Sequence, residues 1–306
     1  MNSIGIISLG CSKNLTDSEV MLGVLSKGYK IEPDIEKADI IIVNTCCFID
    51  DAKQESIDAI LDAAEYKKKN CKKLVVAGCL AQRYKEEILK EIPEVDVILG
   101  TADYHRIDEI LAEGEKEVFG DIDKSPDYSC IPRVNSMPFY TAYLKIADGC
   151  DNHCTYCVIP SIRGKFRSRT VEELTAEAES LAKGGAKEII VIAQNTTDYG
   201  IDIYGKRSLA KLLTELSKIE DIHWIRLHYA YPEGIDDELI RVVADNPKIC
   251  KYLDIPIQHA NDTVLRRMGR RCTKSEMLEL FEKIRKEIPD VTLRTSVIAG
   301  FPGETD

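Results

Sequence analysis

The sequence predicts an α/β protein in which a flavodoxin-like parallel-sheet domain is followed by a partial (β/α) barrel. Short β-rich apolar runs alternate with helical patterns along both halves of the 306-residue chain. Such alternation is typical of parallel sheets covered by helices. Between the halves, residues 114–138 lose this periodicity and contain Pro126, Pro132 and Pro138, which indicates a linker.

The first half contains four strand patterns, each followed by a helical pattern. The predicted strands are residues 4–9, 39–43, 74–77 and 95–99, and the predicted helices cover residues 17–25, 57–64, 82–91 and 104–111. Gly28 stops the first helix and Pro93 closes the third, because neither residue continues a helix well. These units predict a flavodoxin-like domain over residues 1–113.

The second half contains five strand patterns separated by four helical ones. The predicted strands are residues 142–146, 188–193, 223–227, 252–255 and 292–298, and the predicted helices cover residues 171–183, 209–218, 236–245 and 274–286. Such a run fits a barrel, complete or partial, better than another small open sheet. Since no helix follows the fifth strand, we expect residues 139–306 to form an incomplete barrel.

The chain is acidic, with 41 Lys and Arg against 52 Asp and Glu and a formal net charge of -11. This balance argues against binding nucleic acid through bulk positive charge and favours a basic partner. No apolar run approaches the roughly 18 residues that span a membrane, and the N-terminus has no secretory pattern. We therefore expect a cytoplasmic protein without a membrane partner. Its 11 cysteines would then serve metal binding, catalysis or packing rather than disulfides.

A C-x3-C-x2-C motif, which we call the barrel triad, places Cys150, Cys154 and Cys157 directly after the first barrel strand. Barrel active sites form in such loops. Three thiolates can hold a 4Fe-4S cluster and leave one iron open to a non-protein ligand. Zinc bound by the triad with His153 is an alternative, since Cys3His is a structural zinc set. It is disfavoured because His153 adjoins Cys154 and would be strained on the same metal. Three unligated cysteines are the remaining alternative.

A second set, which we call the sheet triad, consists of Cys11, Cys46 and Cys79, each at or just past the end of a predicted strand. Loops at the carboxyl edge of a parallel sheet converge on one crevice, so the sheet triad is predicted to form another open metal site. Gly10 and Gly78 would let the backbone approach a cluster closely. Burial as a small apolar side chain is the alternative for any one of these cysteines. The remaining cysteines are expected to pack or to be incidental: Cys47, Cys71, Cys130, Cys250 and Cys272.

Two basic runs lie near the predicted barrel rim. Residues 163–169 contain four cations in seven positions, and residues 266–274 contain five in nine. Both are interpreted as solvated loops, with binding of substrate or cofactor carboxylates as the alternative. Gly300 and Gly303 follow the fifth strand, where they would admit a ligand or form a tight turn.

The loop at residues 150–157, with an aromatic residue before its last cysteine, resembles the signature of the radical S-adenosylmethionine superfamily. With the sheet triad added, the chain resembles the methylthiotransferases of that superfamily, which carry two 4Fe-4S clusters. Four segments are closer to the branch that modifies an aspartate of a small-subunit ribosomal protein than to the branch that modifies an adenosine of tRNA. These segments are residues 8–14, 159–165, 229–234 and 253–260. Ser12 and Cys47 depart from the family pattern, which has Pro and Gly there.

The resemblance implies that S-adenosylmethionine binds the open iron of the barrel triad and contacts Tyr156, Gln258 and Gly300. It also implies that the cluster of the sheet triad supplies a methylthio group to a substrate carbon from which hydrogen has been abstracted. The implied partners are a small-subunit ribosomal protein or the assembled subunit, and a reductant such as flavodoxin or ferredoxin. Methylthiolation of tRNA and a non-catalytic iron-sulfur scaffold are the alternatives. Family members continue through a sixth barrel strand and a C-terminal β-domain, so we expect the chain to be truncated at its C-terminus.

Overall fold

The computed structural model describes residues 2–126 and 131–305. These residues form two compact units. The first contains the described residues up to Ser136 together with Ser161–Lys165, and the second contains Met137–Pro160 and the described residues from Phe166 onward. Each unit is built on a parallel sheet, which confirms the predicted fold class.

The first unit has a six-stranded parallel sheet. Its strands are β1 (Ser3–Ser8), β2 (Lys30–Ile31), β3 (Ile40–Thr45), β4 (Lys73–Gly78), β5 (Val97–Leu99) and β6 (Glu117–Val118). Its helices are α1 (Ser12–Leu25), α2 (Asp50–Glu65), α3 (Cys79–Arg83), α4 (Lys85–Glu91) and α5 (Ile107–Glu113), with 3-10 turns at Ile35–Lys37, Tyr66–Lys68 and Tyr104–Arg106. The order β2-β1-β3-β4-β5-β6 is the flavodoxin-like order with one added edge strand.

The most apolar strand, β3, lies in the interior of this sheet. Every residue of β3 is buried, and the strand pairs in parallel with β1 on one side and β4 on the other. Parallel strands covered on both faces have such continuous apolar runs. The side chains of α1 and α5 pack with those of the strands in one apolar core.

Three features of the first unit differ from the sequence expectation. The predicted helix 82–91 is divided into α3 and α4, because Tyr84 lies at φ -123° and ψ 36°, outside the helical region. The strands β2 and β6 were not predicted, since two residues are too few to show a period. β6 lies within residues 114–138, the predicted linker, where residues 127–130 are outside the described part of the chain. The boundaries 1–113, 114–138 and 139–306 stay predictions.

The second unit has a five-stranded parallel sheet and a separate two-stranded one. From Met137 onward the strands are β7 (Thr141–Lys145), β8 (Ala147–Asp148), β9 (Arg167–Ser168), β10 (Glu188–Ile192), β11 (Trp224–Leu227), β12 (Ile249–Asp254) and β13 (Thr292–Arg294). The helices are α6 (Ile159–Arg163), α7 (Val171–Lys183), α8 (Ile201–Tyr204), α9 (Leu209–Ser217), α10 (Asp237–Asp245), α11 (Asp262–Arg267) and α12 (Lys274–Glu287), with 3-10 turns at Thr196–Asp198 and Pro232–Gly234. Of α6, only the first two residues belong to the second unit, because Ser161–Arg163 belong to the first. The order β7-β10-β11-β12-β13 follows the chain without reversal, as a partial barrel requires.

Helix α7 shows why these elements form where the sequence predicts them. Thr170 and Glu173 form a capping box that satisfies free backbone N–H groups at the start of the helix. Leu174, Ala178 and Leu181 lie one helical turn apart and bury one face in the aliphatic core of the second unit. Across residues 2–126 and 131–305, no helix is long and apolar enough to cross a membrane.

Candidate functional site

The sheet triad follows three adjacent strands. Cys11 lies between β1 and α1, Cys46 directly follows β3, and Cys79 is the first residue of α3 after β4. Because β1, β3 and β4 are neighbours, their carboxyl ends lie side by side. The strand order reverses between β1 and β3, which is where open α/β sheets bind ligands. The structure therefore places the three predicted ligands at one edge of the sheet.

A buried amide, Asn14, joins the loops that carry the first two cysteines of the sheet triad. Its Nδ2 donates to the carbonyl oxygens of Leu9 at 2.8 Å and Thr45 at 3.2 Å. Asn44 donates its own Nδ2 to the Asn14 carbonyl oxygen at 2.9 Å. Buried polar networks with their partners satisfied hold a local structure rigid. The spacing of the two loops is therefore set by the fold itself.

Glycine is required at two turns in this region. Gly10 has φ 82°, and a Cβ there would lie 2.5 Å from the Cβ of Cys46 and 2.7 Å from its Sγ. Gly78 has φ 91°, and a Cβ there would lie 2.3 Å from Oδ1 of Asn44. The sequence suggested that these glycines make room for a cluster. In the structure they let the cysteine-bearing loops pack closely against one another.

The thiols of the sheet triad differ in environment. Cys11 is exposed, whereas Cys46 and Cys79 are buried. Burial raises the pKa of both buried thiols. At Cys79 the positive charge of Arg163 opposes this effect, and Nη2 of Arg163 donates to the Cys79 Sγ at 3.5 Å. Because iron binds the thiolate, a cation at this position favours the ligating form of Cys79.

Two arginines of the basic run at residues 163–169 are buried rather than solvated, while Lys165 is exposed. Arg163 is 2% exposed, and its Nη1 donates to Oδ2 of Asp17 at 2.6 Å. Arg169 is also buried and forms an ion pair with Glu177 at 2.6 Å. The solvated interpretation is wrong for both arginines, because each guanidinium is buried and paired with a carboxylate.

The other cysteines in the described part of the chain have surroundings that suit packing. Cys47 is buried and its Sγ donates to the carbonyl oxygen of Cys79 at 3.3 Å. Burial raises the pKa of Cys47 to about 11, so it stays a thiol at neutral pH. Cys71 and Cys272 are buried and Cys250 is half-buried. Cys130 lies outside the described residues.

The barrel triad lies in the loop after β8. Cys150 and Cys154 are buried and Cys157 is half-buried. The backbone N and Nδ2 of Asn152 donate to the Cys150 Sγ at 3.4 and 3.5 Å, and the Tyr231 hydroxyl lies 3.9 Å from the Cys154 Sγ. Burial raises the pKa values of Cys150 and Cys157, and the Asn152 donors lower that of Cys150. These donors would stabilise a thiolate bound to iron.

The donor set suits a cluster better than a single zinc ion. His153 is exposed while its neighbour Cys154 is buried, so their side chains lie in different environments. Within the described residues, no three or more His, Cys, Asp or Glu side chains gather around one ion position. A cubane cluster does not need such convergence, because each thiolate binds a different iron atom.

The three residues predicted to contact S-adenosylmethionine come from separate segments that meet at residues 298–301. The Tyr156 ring packs edge-to-face on Phe301, with ring centroids 6.4 Å apart. Gln258 has φ 69°, and its carbonyl oxygen accepts from the Ile298 backbone N at 2.7 Å. Gly300 lies between these contacts, with open space at the position of a Cβ. Their role in binding the cofactor stays a prediction.

Arg270 lies in the second basic run, for which carboxylate binding was the alternative to a solvated loop. It is 6% exposed, its Nη2 donates to the Pro256 carbonyl oxygen at 3.2 Å, and its guanidinium lies 4.2 Å from the ring centroid of Tyr231. Its Nε and Nη1 have no hydrogen-bond partner within the described residues. Leaving buried donors unmatched costs about 1–3 kcal/mol. Nη2 also lies 3.9 Å from Oε2 of Glu233, and the unmatched Nε and Nη1 would suit a further carboxylate such as that of S-adenosylmethionine. The solvated interpretation of residues 266–274 is therefore wrong at Arg270, which only its contacts with distant residues reveal.

Comparison with known protein families and structures agrees with this arrangement. Residues 3–100 match the uncharacterized protein family UPF0004, and residues 144–306 match the radical SAM superfamily. The radical S-adenosylmethionine methyltransferase TsrM from Kitasatospora setae is similar in structure, with a TM-score of 0.68 and 14% identity, over 100% of this chain and 69% of that one. The cobalamin-dependent radical enzyme OxsB has a TM-score of 0.69 and 12% identity, over 97% of this chain and 49% of that one. At these identities the likeness concerns the fold alone.

The fold, the barrel triad and the family match define a radical SAM enzyme, a class that uses a 4Fe-4S cluster and S-adenosylmethionine. The chain is 57% identical to the ribosomal protein uS12 methylthiotransferase RimO of Lachnoclostridium phytofermentans, over 99% of its own length and 70% of that protein. RimO of Clostridioides difficile is 53% identical, over 100% of this chain and 70% of that protein. The chain belongs to the RimO family of radical SAM methylthiotransferases, and it is a transferase of a sulfur-containing group. The resemblance predicted from the sequence is confirmed.

Proposed function

We propose that this chain transfers a methylthio group to an aspartate side chain of ribosomal protein uS12 and uses two 4Fe-4S clusters to do so. The barrel triad would hold one cluster and the sheet triad the other. The observation that carries the proposal is the placement of Cys11, Cys46 and Cys79 at the ends of three adjacent parallel strands. Cleavage of S-adenosylmethionine needs only one open-site cluster. A second set of three thiols supplies a separate place for the sulfur to be transferred.

In this proposal, some residues of the chain bind the cofactor and others stabilise the cluster ligands. A 4Fe-4S cluster with S-adenosylmethionine supplies one-electron chemistry that breaks a C–H bond too strong for a side-chain base to ionise. Tyr156, Gln258 and Gly300 would line the cofactor. The unmatched donors of Arg270 would bind its carboxylate. The Asn152 donors would stabilise the Cys150 thiolate.

The choice of substrate has two supports. The relatives at 53–57% identity bear a name that refers to ribosomal protein uS12. The net charge of -11 favours a basic protein, free or in the assembled ribosomal subunit, over tRNA. With this substrate the chain would act in the cytoplasm. A reductant of the flavodoxin or ferredoxin kind stays a prediction.

The proposal is tested by weighing the product. The chain is loaded anaerobically with iron and sulfide, then given S-adenosylmethionine, a strong reductant, and uS12, small ribosomal subunits or tRNA. We expect mass spectrometry to find one methylthio group in place of one hydrogen on an aspartate of uS12. Cys157→Ala should abolish this product, because the barrel triad loses a ligand. Cys250→Ala should not, because that cysteine belongs to neither triad.

Two results would overturn the proposal in different ways. A methylthio group on a tRNA adenosine, with uS12 unchanged, would contradict the substrate. No cleavage of S-adenosylmethionine under strong reductant would contradict the catalytic role and favour an iron-sulfur scaffold instead.

A further inference from the structure

We propose that Arg163 is a positioning residue for the cluster of the sheet triad, and that its charge raises the reduction potential of this cluster and helps to retain its iron. This inference rests on the proposed function, because it requires a cluster on Cys11, Cys46 and Cys79. It concerns a residue outside both triads. The sequence alone placed Arg163 in a basic loop that was interpreted as solvated or as binding substrate or cofactor carboxylates.

The first support is the fixed placement of the guanidinium. Arg163 is 2% exposed, and its partner Asp17 is 3% exposed. Nη1 of Arg163 donates to Asp17 at 2.6 Å, while Nη2 donates to Oδ1 of Asn14 at 3.1 Å and to Sγ of Cys79 at 3.5 Å. Asn14 is the same residue that joins the loops of Cys11 and Cys46. One buried cation therefore bonds both a predicted ligand and the amide that spaces the other two.

The second support is the anchoring of the segment that carries Arg163. Residues Ser161–Lys165 belong to the first compact unit, although they follow the barrel triad closely in sequence. Oγ1 of Thr101 donates to the Ile162 carbonyl oxygen at 2.6 Å, and the Lys165 backbone N donates to Oδ1 of Asp123 at 2.8 Å. The segment is thus held on both sides of Arg163. The backbone next to Arg163 and its guanidinium are therefore both bonded to residues of the first unit.

The third support is electrostatic. An iron-sulfur cluster with three thiolate ligands gains negative charge on reduction, and its potential depends on net charge and on hydrogen bonds to its sulfur atoms. A buried cation stabilises the more negative, reduced form, so it raises the potential. The carboxylate of Asp17 partly cancels this effect, because it brings the opposite charge to the same place. The two residues should therefore shift the potential in opposite directions.

The test uses the full chain carrying Cys150→Ala, Cys154→Ala and Cys157→Ala, so that only the cluster of the sheet triad is present. Its midpoint potential is measured by redox titration followed by electron paramagnetic resonance, and its iron affinity by competition with a chelator. Arg163→Gln should give a more negative midpoint and an iron affinity about 10–100-fold lower, as for other partners of metal ligands. Arg163→Lys should keep the midpoint near that of the parent, because it keeps the charge. Asp17→Asn should give a more positive midpoint.

Arg133→Gln is the matched control for loss of a buried ion pair. Arg133 pairs with Glu19 on the same helix as Asp17, and both side chains are buried. This variant should lose stability without a shift of the midpoint. If Arg163 only stabilised the fold, Arg163→Gln, Asp17→Asn and Arg133→Gln would all lower stability. In that case Arg163→Gln would not lower the midpoint potential and Asp17→Asn would not raise it.

The remaining outcomes separate this inference from the proposed function. A parent variant that binds no iron contradicts the cluster on the sheet triad itself. A parent that binds iron, with an unchanged midpoint in Arg163→Gln, overturns the role of Arg163 alone. If Arg163→Gln does not fold, the Asp17→Asn midpoint decides, and an unchanged or more negative value overturns the inference. The double variant Asp17→Asn/Arg163→Gln removes both charges. Its midpoint should lie below that of the single variant Asp17→Asn.

Discussion

Burial decides what individual cysteines and arginines of this chain can do. Buried thiols such as Cys46 and Cys79 have raised pKa values and need a neighbouring donor or cation to become ligands. Arg163 supplies that cation to Cys79, and Asn152 supplies donors to Cys150. Cys47 and Cys272 are buried thiols whose pKa values are each raised to about 11. Residue type alone therefore does not separate ligands from packing residues.

Cys272 gives a pH prediction at this scale. Burial, followed by the charges of Glu233 and Glu276, raises its pKa from 9.0 to about 11. Between these values the unfolded chain loses the thiol proton and the folded chain keeps it, so stability falls as the pH rises. In the iron-free chain, this one group should reduce the free energy of unfolding by up to about 1.4 kcal/mol per pH unit.

The prediction is checked by urea denaturation of the parent and of Cys272→Ala from pH 8 to pH 11. The difference in unfolding free energy between the two proteins should stay constant up to about pH 9. Above pH 9 the parent should lose stability relative to Cys272→Ala, because the variant has no thiol at this position to titrate. If the plots of unfolding free energy against pH stay parallel for the two proteins up to pH 11, the pKa of Cys272 is not raised in the folded chain.

At the scale of elements, the turns that follow the strands decide whether the cysteines of the sheet triad come together. Parallel strands bring their carboxyl ends to one edge, and the turn after each strand then decides whether its cysteine meets the others. At the end of β1 that turn depends on Gly10, whose neighbour Cys46 occupies the space that a side chain would need.

Gly10→Ala should therefore disable the sheet triad. The left-handed backbone alone costs about 1–2 kcal/mol with a side chain present, and the new Cβ would overlap Cys46. We expect the variant to lose the iron of the sheet triad and keep that of the barrel triad, as measured by iron content per chain. Gly28→Ala is the control, because a Cβ at Gly28 meets open space. Full iron content in Gly10→Ala would contradict the importance of this close contact.

The helices and strands whose apolar residues recur with a clear period could be predicted from the sequence, and those too short to show a period could not. Helix α7 begins at Val171 as predicted, because its cap and its apolar face are both local signals. The strands β2 and β6 have two residues each and show no local signal. The sheet triad was found because its cysteines recur at strand ends. The burial of Arg163 and Arg270 could not be predicted, because their partners are not near them in sequence. Asp17 lies 146 residues from Arg163, and Tyr231 precedes the 3-10 turn Pro232–Gly234.

At the scale of the whole molecule, each compact unit carries one set of three cysteines. The first unit matches UPF0004 and holds the sheet triad, and the second matches the radical SAM superfamily and holds the barrel triad. The chain spans about 70% of the length of its curated relatives. Two separate triads on two units predict two clusters that load independently, so that removing one leaves the other in place.

The most direct test of this account is the iron content of the anaerobically loaded chain and of two complementary variants. The parent should hold about eight iron atoms per chain, four in each cluster. Replacing the barrel triad by alanine should leave about four, and replacing the sheet triad by alanine should also leave about four. Zinc in place of iron, or a sheet-triad variant that keeps all the iron of the parent, would contradict the two-cluster account.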